Sequence, residues 1–229
     1  MTTDPKACEV ALLRLLQIVS PALPIGAYAY SQGLETAVAR HWVTNETEAE
    51  QWIGGLLRHP LTYLDMPLFV RLYQAWKSGD MGGVSDWNAW LYASREAAEL
   101  QQEDRYLGIA LARLLADLGL VEAKPWRGAP RVCFATLFSL AAVRWEIPLV
   151  DAAKGYLWTW TENQVAAAIK LIPLGQTSGQ QILSRLLPEI VTAVQHGIAL
   201  EDADIGYATP GLGLASALHE AQYSRLFRS

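Results

Sequence analysis

From Leu149 to Ile172 nearly every position is aliphatic or aromatic, with Tyr156, Trp158 and Trp160 among them. Yet Glu162, Asn163, Gln164 and Lys170 stand inside this run, and Pro173, Gly175, Gln176, Gly179 and Gln180 follow it. A helix apolar on most faces sits at the centre of a fold. A polar group there must find a hydrogen bond or a partner, because stranding one costs roughly 1–3 kcal/mol and more if it is charged. The stretch therefore predicts a central helix and marks where structure and function meet.

Helical period dominates elsewhere, and no strand pattern competes with it. Leu12, Leu15, Leu16 and Val19 mark one face at i, i+3, i+4 and i+7. A second runs through Leu107, Leu111, Leu114, Leu115 and Leu118 and stops at Gly119. A third, from Leu183 through Leu186, Leu187, Ile190 and Val191 to Val194, contains Pro188, which should kink or split it. Phe134, Leu137, Phe138 and Ala141 give a fourth, entered through Pro130. Further helices are expected over roughly 32–40, 46–58, 61–77 and 85–94, the second capped by Thr44 or Asn45 ahead of Glu46 and Glu48. The breakers at Pro21, Pro24, Gly79 to Gly83, Gly119 to Gly128, Pro148 and Pro173 to Gly179 are too short for interdomain linkers. The expectation is all-α: one single-domain helical bundle over residues 1–229, of about eight to ten helices.

Half of the 229 residues are apolar, including nine Trp, which is generous for a monomer of this size and implies apolar surface covered by another chain. The formal charge of −5, without a basic cluster, argues against nucleic-acid binding. No stretch reaches the 18 or so apolar residues of a membrane span. The start, Met1 to Lys6, lacks the pattern of a signal peptide. Cys8 and Cys133 are far apart and form no Cys-x-x-Cys motif, so a cytoplasmic protein is expected. The segment 201–229 differs: after Glu201, Asp202 and Asp204 come Gly206, Pro210, Gly211 and Gly213, then Tyr223, Ser224, Arg225, Leu226 and Phe227. An apolar, aromatic tail of this kind predicts a segment that orders on a partner.

The chemistry-bearing patterns are few. His41, His59, His196 and His219 show no ligand spacing, and isolated histidines are the simplest reading, with His219 and Cys8 the least implausible metal ligands. Gly211, Gly213 and Ser216 nearly reproduce a dinucleotide fingerprint, but no strand precedes them. Neither a phosphate loop nor a Gly-x-Ser-x-Gly elbow occurs. Glu99 with Glu103 and Glu46 with Glu50 read as solvated helix faces, and Arg95 with Glu99 as an ordinary i, i+4 pair. Glu162, among apolar neighbours, is expected to pair with Lys170 or an arginine; as a general acid it lacks a companion base. No catalytic constellation emerges, so the chain reads as a non-enzyme. The patch from Ser20 to Glu35 holds Pro21, Pro24, Gly26, Tyr28, Tyr30, Ser31, Gln32 and Gly33, a rigid turn in which Ser31 could cap the next helix. Core and interface both suit its tyrosines.

These patches together resemble the urease accessory protein UreF family. The resemblance is carried by Ser20-Pro21-Ala22-Leu23-Pro24-Ile25-Gly26-Ala27-Tyr28, Ser31-Gln32-Gly33-Leu34-Glu35, Trp160, Glu162-Asn163-Gln164-Val165, Ala167-Ala168, Lys170, Pro173-Leu174-Gly175-Gln176 and Gly179-Gln180. Arg95, Glu96, Glu99 and Gly108 fit as well, and the ending His219-Glu220, Gln222-Tyr223-Ser224-Arg225-Leu226-Phe227 completes it. Ala27 departs from the family, where a second glycine after Gly26 is common; this matters only if that backbone needs a positive φ.

The resemblance implies a non-enzymatic assembly factor that pairs as a homodimer, docks onto UreD (UreH in some organisms), recruits the GTPase UreG and supports GTP-dependent nickel delivery to apo-urease. It implies no tightly bound cofactor, with nickel in transit. The partner-binding residues it points to are Tyr28, Tyr30, Gln32, Glu35, Tyr223, Arg225, Leu226 and Phe227, with Tyr28 and Arg225 foremost. Lys170 resembles a residue coupled to GTP hydrolysis, and Glu162, Gln164, Gln176 and Gln180 are candidates to line a polar passage. The rival readings are a GTPase-activating protein acting directly on UreG and a nickel carrier in its own right.

Overall fold

The computed structural model of the chain describes residues 5–229, with side chains described from residue 9 onward. Residues 1–4, read for a signal segment, and the Cys8 side chain, weighed as a metal ligand, lie outside the described residues. The helical periods become ten α-helices: α1 (Pro5–Ile18), α2 (Leu34–Ala39), α3 (Glu46–Leu56), α4 (Met66–Ser78), α5 (Met81–Ala93), α6 (Ala98–Asp117), α7 (Phe134–Arg144), α8 (Leu149–Leu171), α9 (Gln176–Ala199) and α10 (Pro210–Glu220). No strand occurs among the described residues, and the all-α expectation holds. No helix described is long and apolar enough to cross a membrane.

The innermost helix is α7, not the α8 run. Every residue from Phe134 to Ala142 is buried, whereas α8 keeps Trp158 and Trp160 half-buried and Val150 exposed. The first N–H groups of a helix need partners, and for α7 they come from distant side chains. Asn88 Oδ1 on α5 accepts from Cys133 N at 2.9 Å, and Asp104 Oδ1 on α6 accepts from Phe134 N at 2.6 Å. The helix therefore starts at Phe134 rather than at Pro130. Tyr156 of α8 packs among Phe69, Phe134 and Phe138, with ring centroids 5.1 to 6.0 Å away. Burial pushes the Cys133 thiol well up, so this cysteine is core rather than nucleophile.

The two helices expected over 46–58 and 61–77 are joined. Between α3 and α4 the chain continues as a π-helical segment, Leu57–Asp65, that contains Pro60. The wider turn tolerates a residue without an N–H, and Thr62 Oγ1 donates to Leu57 O at 2.6 Å. α9 crosses this segment at Gly197, where a Cβ would stand 2.6 Å from that of Met66 and 3.0 Å from Thr62 O. At the start of α3, Asn45 Oδ1 accepts from Glu48 N at 3.0 Å, while Glu48 reaches back to Thr44 N at 2.7 Å, as the capping pattern predicts.

Two other expectations change. α9 runs unbroken through Pro188, which lies on the exposed face, where solvent can reach the carbonyl it frees, while Leu186 and Ile190 anchor the buried face. Leu15 of α1 and Val19 just after it straddle Gly155 of α8, but Leu12 and Leu16 are 58% and 56% exposed. Ala11 and Ile18 take the buried side instead. Leu12 and Leu16 open onto an apolar groove shared with Trp158, Leu187 and Val191.

Candidate functional site

The polar residues of α8 hold the Ser20–Gln32 turn. Trp160 Nε1 donates to Gln32 Oε1 at 2.7 Å, and Asn163 Nδ2 donates to Tyr30 O at 3.1 Å. The turn bends through left-handed backbone at Gly26, Gln32 and Gly33, with a 3-10 turn over Ala27–Ala29. Ala27 is not among the positive-φ residues, so the alanine there is unstrained. At Gly33 the left-handed φ coincides with a close approach: a Cβ would sit 2.9 Å from Ala215 Cβ on α10.

The turn in turn seats the tail. Ser31 N and Ser31 Oγ both donate to Ser229 O, at 2.8 and 2.6 Å, and Arg228 N donates to Ala29 O at 2.8 Å. Ser31 Oγ also accepts from Glu35 N at 3.3 Å, but the N-cap of α2 is Gly33 without a side-chain bond, so Ser31 braces the first turn from outside rather than capping it. Glu35 accepts from the backbone N–H of Leu226 and Phe227, at 2.7 and 2.9 Å. Lys170, exposed near the end of α8, places Nζ 5.5 Å from the Phe227 ring centroid and 6.0 Å from that of Tyr28, within cation–π range. Tyr28 (69% exposed), Tyr223 (fully exposed) and Leu226 (64%) share this turn-and-tail region. Its polypeptide comes from chain segments nearly 200 residues apart.

Beneath it lies an ionic frame that sequence spacing missed. Arg95 grips Asp65 with Nη2–Oδ1 and Nη1–Oδ2 distances of 2.7 and 3.0 Å, and its Nε donates to Asp104 at 2.9 Å. Tyr156 donates to Asp65 at 3.3 Å; burial first, then Asp65, pushes its hydroxyl well up, so it remains a donor. Glu103 accepts from Gln32 Nε2 at 2.7 Å and from Ser229 Oγ at 2.8 Å. Burial outweighs those two donors and pushes its carboxyl up to about 7. Asp65, Arg95, Glu103, Asp104, Trp160 and Asn163 border a cavity of about 90 Å³ that Leu212 of α10 helps to close. Next to this frame, Glu99 and Glu35 flank His219, and Arg225 Nη1 donates to Glu99 at 2.9 Å.

Several expectations are corrected by this geometry. Arg95 does not pair with Glu99, and Glu99 and Glu103 are buried rather than solvated. Glu162 and Lys170 are not paired: Glu162 is half-buried without an ion pair among the described residues, and burial raises its pKa against a Trp158 hydrogen bond. Gln164 is fully buried with neither amide atom bonded. Gln176 and Gln180 are exposed. Tyr30 and Glu35 are buried, and Gln32 bonds Glu103 and Trp160. Arg225 spends its fork on Glu99 and on the Gln222 and Glu220 carbonyls. His41, His59 and His196 are exposed, and among the described residues no three His, Cys, Asp or Glu are grouped to hold a metal ion. The one signal for the frame was Glu99, Glu103 and Asp104, charges at helical spacing on a helix whose leucines share their face, with Arg95 just before its start.

The sequence model described as UreF matches residues 43–187. The chain is similar to a protein of Alkalilimnicola ehrlichii, 53% identical over 220 residues that cover 96% of each chain. It is likewise similar to one of Chromohalobacter salexigens, 47% identical over the whole of both chains, and to one of Hahella chejuensis, 45% identical over 96% of this chain and 99% of the relative. All three carry the name urease accessory protein UreF.

Proposed function

The chain belongs to the UreF family of urease accessory proteins, and from that premise we propose that it is a non-enzymatic scaffold which, with UreD/UreH, recruits the GTPase UreG. In this reading it supports GTP-dependent nickel delivery to apo-urease in the cytoplasm, and nickel is cargo rather than a resident ion. The observation that supports it best is Lys170 lying near the rings of exposed Tyr28 and of Phe227 where turn, α8 and tail meet, with Tyr223 and Leu226 exposed on the same tail. Exposed rings beside a cation suit an interface, where a few aromatic anchors dominate binding. Arg225 acts inside the tail, so Tyr28 and Tyr223 become the foremost contact residues. The exposed apolar face of α1 and α9, with Leu12, Leu16, Leu187 and Val191, supports pairing with a second copy.

The test is co-elution of UreG with this chain and UreD/UreH. Tyr28→Ala and Tyr223→Ala, both at exposed rings, keep the fold and weaken UreG capture roughly thirtyfold each, the scale of an interface anchor. Capture undiminished in both variants rejects the reading. One observation favours a second reading, direct activation of UreG: Lys170 is exposed and has no carboxylate partner among the described residues. GTP hydrolysis by UreG with and without the Lys170→Ala chain separates activation from scaffolding.

A further inference from the structure

His219, in the last turn of α10, is completely buried. Its Nδ1 lies 2.7 Å from Glu99 Oε2 on α6, and its Nε2 lies 3.2 Å from Glu35 Oε2 on α2. The same two carboxylates receive the tail: Glu35 takes the Leu226 and Phe227 N–H groups, and Glu99 takes Arg225. The glutamates face opposite ring nitrogens, so they cannot converge on one metal ion with the imidazole.

Hydrogen-bond accounting constrains the protons. An ionised carboxylate only accepts, and a neutral imidazole donates from one nitrogen only. Two acceptors against the two ring nitrogens leave one lone pair facing another unless an added proton sits on the ring or on a carboxyl. With that proton on the ring, two carboxylates face two cations, His219 and Arg225. Without it the buried cluster carries surplus negative charge, which is costly away from water. The charged groups around His219 are Glu35 from α2, Glu99 from α6 and Arg225 from the tail. Glu103 stands one turn further along α6, engaged with Gln32 and Ser229.

We infer that His219 is a positioning residue: clasped between Glu35 and Glu99 with one added proton, it seats residues 222–229 in the shape that the partner surface requires. This rests on the tail's role proposed above and adds the residue that fixes the tail's shape.

The test follows amide hydrogen exchange at Leu226 and Phe227 in the full chain, with the amides of α7 as the control for folding. His219→Ala speeds exchange at both positions roughly tenfold or more, the loss expected for bonds to a charged acceptor, while α7 stays protected. Glu99→Gln is the discriminating variant. Its amide donates to Nδ1 and its oxygen accepts from Arg225, so the contacts persist and protection at Leu226 and Phe227 is kept. Glu99→Ala leaves both partners unanswered and speeds exchange as His219→Ala does. Equal exchange in Glu99→Gln and Glu99→Ala overturns the proposal, as does unchanged exchange in His219→Ala. Should His219→Ala unfold α7, the comparison of Glu99→Gln with Glu99→Ala decides alone. UreG capture is measured in parallel. Looser amides with capture intact uphold the clasp and count against the tail as the recruiting element.

Discussion

Replacing Glu103 with glutamine should stabilise the protein above neutral pH and leave it nearly unchanged in mild acid. Glu103 is enclosed, and the transfer of its charge from water outweighs the help of Gln32 and Ser229, so its carboxyl titrates at about 7 instead of the ordinary 4.5. Asp104 nearby adds to the rise and Arg95 opposes it. The sign follows from proton counting. Between 4.5 and about 7 the folded chain holds a proton at Glu103 that the unfolded chain has released, so stability falls as pH rises through that window and is level above it. At about 1.4 kcal/mol per unit, the gap amounts to about 3 kcal/mol by pH 8. Glutamine keeps an oxygen for Gln32 and turns an amide toward the Ser229 hydroxyl, which can accept, and it has nothing to ionise. Urea unfolding of both chains at pH 5, 6, 7 and 8 reads the difference directly. The variant should gain steadily, by up to about 3 kcal/mol, with equal urea slopes. A difference that does not change with pH, or one that shrinks as pH rises, refutes the argument that burial governs this carboxyl.

Arg95→Met removes the cation that bridges Asp65 and Asp104, both buried, and should cost about 3–5 kcal/mol in urea unfolding; Arg185→Met, at the solvent-screened pair with Glu46 and Glu50, should leave the urea midpoint nearly unchanged. Gln164→Met replaces a buried amide that has no hydrogen-bond partner, and should be neutral or raise stability by about 1 kcal/mol; a loss of several kcal/mol would show that the amide is satisfied through bridging water.

The parts of the fold that were legible in the chain are those governed by neighbours in sequence. Leu107, Leu111 and Leu115 announce the buried face of α6, and Gly119, with φ near +96°, ends it. Asn45 and Glu48 cap α3 as their spacing says. That the Tyr28 turn and the aromatic tail belong together was implied by the family resemblance alone; the structure places the two segments side by side. The ionic frame was not, because its members come from the π-helical segment, the turn before α6 and α6 itself, each carrying charges that look solvated on their own. Local spacing also sent Glu162 to Lys170, since no rule of sequence tells which face of α8 meets Tyr28 and Phe227.

Local periodicity and caps, acting over a few residues, determine that this chain is helical and where most of its helices begin and end. Tertiary packing decided the rest. It chose α7 over α8 as the innermost helix by supplying Asn88 and Asp104 to its first N–H groups. It let Pro60 remain inside a helical run and turned Leu12 and Leu16 outward. It enclosed Glu35, Glu99, Glu103 and His219 so that the tail is held by charge. The physical reason is that desolvation depends on what surrounds a group in three dimensions, and a carboxylate that is unremarkable on an open helix becomes a determinant of structure once water is excluded from it.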